Sequence, residues 1–126
     1  MNQDHSSSPH LTRIAAVFGF VGVALGAFGA HALRATLLEH QTVDLWKTAS
    51  SYHLIHAVLL VVISFLSPSR KTTFVLVALG IFLFSGSLYL MALYPLRWLG
   101  PITPLGGLLL LSGWLSLLRK PQTKSS

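Results

Sequence analysis

Residues 57–66 read AVLLVVISFL, a run in which apolar side chains follow one another without a polar partner between them until Ser64. A strand of a membrane barrel would alternate apolar and polar positions, because one face meets lipid and the other the lumen. This stretch does not alternate, so the segment around it is helical. Three comparable runs accompany it, giving spans at residues 14–33, 49–66, 73–94 and 99–118, none of which contains Asp, Glu, Lys or Arg. At a rise of about 1.5 Å per residue, the first covers about 30 Å, the thickness of a hydrocarbon core. In lipid each backbone N–H and C=O must be bonded within its own segment, which a helix achieves alone. The expected fold is therefore all-α: an integral membrane four-helix bundle formed by residues 1–126 as a single four-span domain.

Composition leads the same way. Of 126 residues, 52% are hydrophobic and 10% charged, against about 25% charged in soluble domains. The formal charge of +6 does not indicate nucleic-acid binding, because the basic residues stand singly or in pairs at the edges of apolar runs, where they act as topology signals and lipid-phosphate contacts. Cysteine is absent, which excludes disulfides, thiolate metal sites and cysteine nucleophiles.

Local signals mark the ends of the spans. Ser8-Pro9 reads as a cap and first turn, and Thr42 with Asp44 as a cap and charge complement for the second helix. Ser67-Pro68-Ser69 and Pro95 stop the second and third, while Thr103-Pro104 reads as the start of the fourth. With an even number of crossings, one side carries Arg13, Arg70, Lys71, Arg119, Lys120 and Lys124, and the other Arg34, Lys47 and Arg97. The imbalance predicts both termini in the cytoplasm. Trp46, Tyr94 and Trp98 are then expected in an outer aromatic belt, with Trp114 toward the inner face. Arg13, the first apolar run and Ala30-His31-Ala32 imitate a cleaved signal peptide, but the run is longer than a signal core and three more spans follow, so the first span is expected to be retained.

The first span carries Gly19, Gly22, Gly26 and Gly29 at intervals of three, four and three, which places them along one helical face. Lipid supplies no hydrophobic force between helices, so association relies on close backbone approach, and a glycine stripe permits it. These four are candidate helix-packing positions, within one chain or between two. Gly80, Gly106, Gly107 and Gly113 read likewise. Ser85 and Ser87 flank Gly86 near mid-span, where hydroxyls bond the preceding turn or a neighbouring helix; as nucleophiles they lack a base and an oriented acid.

His53 and His56 are three residues apart and share a stripe with Trp46, Ala49 and Leu60. Counted from Trp46, they lie about 10 and 15 Å deep. Polar rings at that depth face the bundle and often mark functional sites. Together with His31, which closes the first span, they are candidate ligands for a metal, a haem or a quinone, since neutral imidazole serves zinc, copper and haem iron. The alternative is that they bond neighbouring helices and specify packing. Geometry sets a condition: His31 is rotated by roughly 140–180° from Gly26 and Gly22, so all three histidines converge only if the face opposite the glycines meets the second helix.

GAFGAHAL at residues 26–33, a polar loop, and then WKTASSYHLIHAVLL at residues 46–60 resemble the YgdD- and YwdK-like family of small inner-membrane proteins, which has relatives in eukaryotes. The likeness extends over nearly the whole chain in length and span count, and its specific part is Gly26, Gly29, His31, Trp46, Ala49, Tyr52, His53 and His56. It implies a multi-pass protein of the bacterial inner membrane and transfers no activity, ligand or catalytic residue. The sequence therefore leads to a non-enzymatic protein that acts by packing with itself or with a membrane partner in the lipid bilayer. The alternatives are a histidine-based ligand-binding protein and a small transporter. The latter is disfavoured because inverted repeats, broken helices and buried carboxylates are missing.

Overall fold

Residues 8–66 and 68–120 are described by a computed structural model; Ser67 and Lys124, used above, lie outside them. The described chain forms five α-helices: α1 (Pro9–Ala30), α2 (Arg34–Glu39), α3 (Val43–Leu66), α4 (Lys71–Leu93) and α5 (Ile102–Ser116). Short 3-10 turns at Pro68–Arg70 and Arg97–Leu99 lead into α4 and α5. Four helical segments are long and apolar enough to cross a membrane, the fourth counted from Arg97 to Ser116. The protein is an all-α, four-span membrane protein.

The principal contacts run between consecutive spans: α1 on α3, α3 on α4, and α4 on α5. The two central helices are accordingly the most enclosed, whereas only 17% of the apolar window of α1 is buried, against 44% for α4. Large side chains such as Phe20, Val23, Leu108 and Leu115 stand outward from α1 and α5. That is the expected surface of a protein whose solvent is hydrocarbon. Inside, Leu60, Ile63, Val77 and Ile81 join Ala15 of α1 and Leu110 of α5 in one apolar cluster, and Trp46, Ala49, Leu88, Tyr89 and Ala92 form a second around Leu37.

Helix ends depart from the sequence reading in instructive ways. Pro9 does open α1 with Ser8 at the cap, but the Ser8 side chain makes no capping bond; its carbonyl accepts from Thr12, and its N–H donates to the Ser64 carbonyl of α3 at 3.3 Å. Thr42 precedes α3, yet its hydroxyl is donated to the Ala92 carbonyl of α4 at 2.7 Å, and His40 Nδ1 reaches the same oxygen at 3.2 Å. Two side chains of the α2–α3 corner thus occupy a carbonyl at the end of α4 that has lost its helical partner. α5 begins at Ile102, with Pro101 at its cap instead of Thr103; Thr103 sits inside the first turn and bonds Ser87 at 2.6 Å. α2 has no counterpart in the sequence reading, which treats that stretch as loop. Trp46 belongs to the core at 4% exposure and not to a lipid-facing belt, whereas Tyr94 and Trp98 are exposed.

At the opposite end, Arg70 reaches across to α5, donating to the Ser116 carbonyl at 2.9 Å and the Arg119 carbonyl at 2.7 Å. A cation at a helix C-terminus satisfies orphan acceptors and complements the dipole. Arg70→Ala is expected to fray this end by about 1 kcal/mol, seen as faster amide exchange at residues 117–119 with the rest of the helical signal unchanged.

Candidate functional site

The polar centre of the protein is built where α3 meets α1, and its logic starts with the glycines. Gly22, Gly26 and Gly29 face α3, whereas a side chain at Gly19 would meet nothing within 4 Å. A Cβ on Gly22 would lie 2.9 Å from Leu54 and 3.3 Å from the His53 ring; one on Gly26 would touch the Ser50 hydroxyl; one on Gly29 would overlap the Trp46 indole. Close approach along this seam is used for a definite purpose. The Trp46 indole N–H donates to the Leu25 carbonyl at 2.9 Å, and the His53 Nε2–H to the Phe18 carbonyl at 2.8 Å.

These two bonds are one device repeated. Each accepting carbonyl lies four residues before a glycine, Leu25 before Gly29 and Phe18 before Gly22, so in the helix it already serves that glycine's N–H and offers its second lone pair. The glycine leaves the opening through which the ring reaches it. Trp46 and His53 are seven residues apart, as are Leu25 and Phe18, running in opposite directions because the helices are antiparallel. A seven-residue step keeps successive contacts on one seam. The glycines and the ring residues therefore form a single motif.

From His53 the network continues into α4, where Tyr89 Oη is 3.0 Å from His53 Nδ1. Since Nε2 donates to a carbonyl, Nδ1 accepts in the neutral ring and the Tyr89 hydroxyl donates. The phenol also packs against Trp46, ring centres 4.7 Å apart, and Ser85 of α4 donates to the Ala49 carbonyl of α3 at 2.8 Å.

His56 joins a different helix. Its Nδ1–H donates to the Tyr52 carbonyl at 2.7 Å, one turn back on α3, while its Nε2 accepts from the Trp114 indole at 3.0 Å. An indole only donates and a carbonyl only accepts, so the partners fix the tautomer and leave the ring neutral. The Trp114 N–H thus points to α3 while much of its ring stays exposed on the outer surface.

The five-residue stripe read from the sequence is buried in full: Trp46, Ala49, His53, His56 and Leu60 are each at most 6% exposed. The three histidines are nevertheless not brought together. The glycine face of α1 is the one that meets α3, so the condition for convergence is not met. His31 caps the end of α1, exposed, with its backbone N–H directed to Ala27 and Phe28. His53 faces α1 and α4, and His56 faces α5. Among the described residues no three His, Asp or Glu side chains are grouped as a metal site would need, and both nitrogens of His53 and of His56 already have partners. Sequence reasoning missed Tyr89 and Trp114 as the partners of these rings. The one available signal was that each is a polar-tipped aromatic within a span, where the N–H or O–H has no water to bond and seeks a protein partner.

Residues 25–107, which hold the seam from Leu25 through the α4–α5 turn, match the family described as protein of unknown function (DUF423). The chain belongs to the DUF423 family. Similar proteins include the UPF0382 membrane protein YwdK of Bacillus subtilis, 37% identical over 83% of this chain and 89% of its own length. The UPF0382 inner membrane protein YgdD of Escherichia coli is 40% identical over 82% of each chain. A UPF0382 membrane protein of Schizosaccharomyces pombe, C1782.12c, is 36% identical over 83% of this chain and 95% of its own length. No solved structure matches. The DUF423 assignment agrees with the resemblance seen in residues 26–33 and 46–60, and these names state a membrane location without an activity.

Proposed function

We propose that this DUF423 protein is a non-enzymatic, multi-pass protein of the bacterial inner membrane, with both termini in the cytoplasm, that acts by associating with a second membrane component, another copy of itself or a partner protein. The observation that carries this reading is the use made of the intramembrane polar groups. Rings that would serve as ligands or bases are tied to carbonyls and aromatic donors of neighbouring helices. Among the described residues no buried side-chain nitrogen or oxygen lacks a partner. Polar chemistry of this kind specifies one arrangement of helices.

The surface most available for contact is the outer face of α1 and α5, with side chains such as Val58 of α3 and Phe82 of α4 also turned outward. The glycine seam is occupied within the chain, so association would use the larger apolar side chains of those outer faces. Crosslinking in native membranes and blue-native electrophoresis test the proposal: a discrete complex larger than one chain is expected, and a strictly monomeric protein with no co-purifying partner would overturn it. Reporter fusions at Ser126 and near Gln41 test the orientation, with the first expected inside and the second outside. The paired ring nitrogens favour this reading over ligand binding by the histidines. Purified protein is accordingly expected to carry no stoichiometric metal by elemental analysis and no haem Soret band.

A further inference from the structure

A cleft of about 250 Å³ opens where α1 ends and α3 begins. Its size lies just below the roughly 300 Å³ at which pockets for drug-sized molecules start, so it suits a compact group. Gly26 and Gly29 keep its α1 wall bare, Ser50 and Ser51 of α3 present hydroxyls, and Arg34 of α2 and Lys47 of α3 stand over it. Neither Asp nor Glu is part of its lining. Both cations are exposed, and neither side chain has a hydrogen bond or ion pair among the described residues. This is the end of the bundle at which Thr42 ties α3 to the end of α4, beside the exposed Tyr94 and Trp98. Aromatic side chains of that kind sit at the level of lipid head groups.

We propose that this cleft binds a phosphate-bearing anion. Arg34 supplies a planar fork that matches two phosphate oxygens, Lys47 a compact point charge, and the serines the hydroxyls that hold the remaining oxygens or an attached alcohol. An acidic phospholipid head group and free phosphate share this chemistry. The cleft lies between α1 and α3 and not on the outer faces of α1 and α5 assigned above to association, so substitutions here are expected to leave the oligomeric state unchanged.

The test is native mass spectrometry of the full-length protein with phosphatidylglycerol or phosphatidylcholine of matched chains, beside calorimetric titration with inorganic phosphate. The expected result is preferential retention of phosphatidylglycerol. Arg34→Gln and Lys47→Gln each lower its retention about fivefold, the effect of about one basic contact at a membrane surface, and roughly multiply together in the double variant. Saturable binding of inorganic phosphate with the same dependence on both residues, and without a lipid preference, also supports the phosphate site and assigns it to the free anion. Equal binding of phosphatidylglycerol and of phosphate by the unaltered protein and the double variant overturns the proposal. Thermal melting by circular dichroism checks that the variants fold. A second measurement needs no variant: added salt should weaken phosphatidylglycerol retention by the unaltered protein through screening, and retention indifferent to salt overturns the proposal as well.

Discussion

Replacing Gly106 by alanine is expected to destabilise the protein by about 1–3 kcal/mol, in the range seen when methyl groups are forced into well-packed interiors. The added Cβ would meet main-chain atoms of Leu83 and Phe84 in α4, with the Phe84 α-carbon at 2.7 Å. No rotamer change relieves such a contact, so α5 as a whole must move outward. That movement loosens the neighbouring contacts of Gly80 with Leu110 and of Gly113 with Val77, which belong to the same α4–α5 seam. Two controls separate this from a general glycine effect. At Gly107 a Cβ would make ordinary contact with the Phe84 ring at 3.7 Å, and at Gly86 it would meet nothing within 4 Å. Both are helical, and there alanine is favoured over glycine by about 0.8–1 kcal/mol. Gly107→Ala and Gly86→Ala should therefore be neutral or stabilising. Reversible unfolding in mixed micelles reads all three, and equal midpoints for Gly106→Ala and the controls would contradict the packing described.

The same contrast shows what was legible before the structure. Hydropathy located four spans because lipid imposes one rule on each of them, and α1 and α3 begin just after Ser8 and Thr42, where the sequence places their caps, ahead of the apolar runs themselves. Periodicity also located the buried stripe of α3. It did not say which glycine of a stripe is used: Gly19 has the same spacing as its neighbours and meets nothing, because the α1–α3 seam turns on Gly22, Gly26 and Gly29. Nor did it show that the Thr42 hydroxyl serves α4 instead of its own helix, since that depends on where α4 ends in space. The histidine site was harder still. Spacing places His53 and His56 on one face of a helix, but with each span packed on its successor that face spans two seams. One ring consequently meets α1 and α4, the other α5. Divergence of that kind is a property of tertiary packing and leaves no mark in the chain.

Gly29→Ala is expected to cost about 2–4 kcal/mol, combining the overpacking term with loss of an interhelical hydrogen bond of about 0.6–1.7 kcal/mol. The three atoms nearest the new methyl all belong to the Trp46 indole, so the ring is driven off the seam and its N–H off the Leu25 carbonyl. Unlike the obstruction at Gly106, this one can be removed. Trp46→Ala should itself be costly, at about 3–5 kcal/mol for a buried tryptophan. Once the indole is gone, however, the methyl of Gly29→Ala occupies vacated space. The double variant should therefore be less destabilised than the sum of the single changes by about 1–3 kcal/mol, a coupling typical of residues in direct contact. Trp46→Phe refines the measurement by keeping most of the ring and deleting the donor, which isolates the bond to Leu25. An equivalent cycle one heptad away, with Gly22→Ala and His53→Ala, should show coupling of the same sign but smaller size, because Leu54 as well as His53 stands near that methyl. Additive costs in both cycles would mean that the glycines and the rings stabilise the helix pair independently. Coupling in both would establish that α1 is glycine-rich here because α3 carries rings that must reach its backbone.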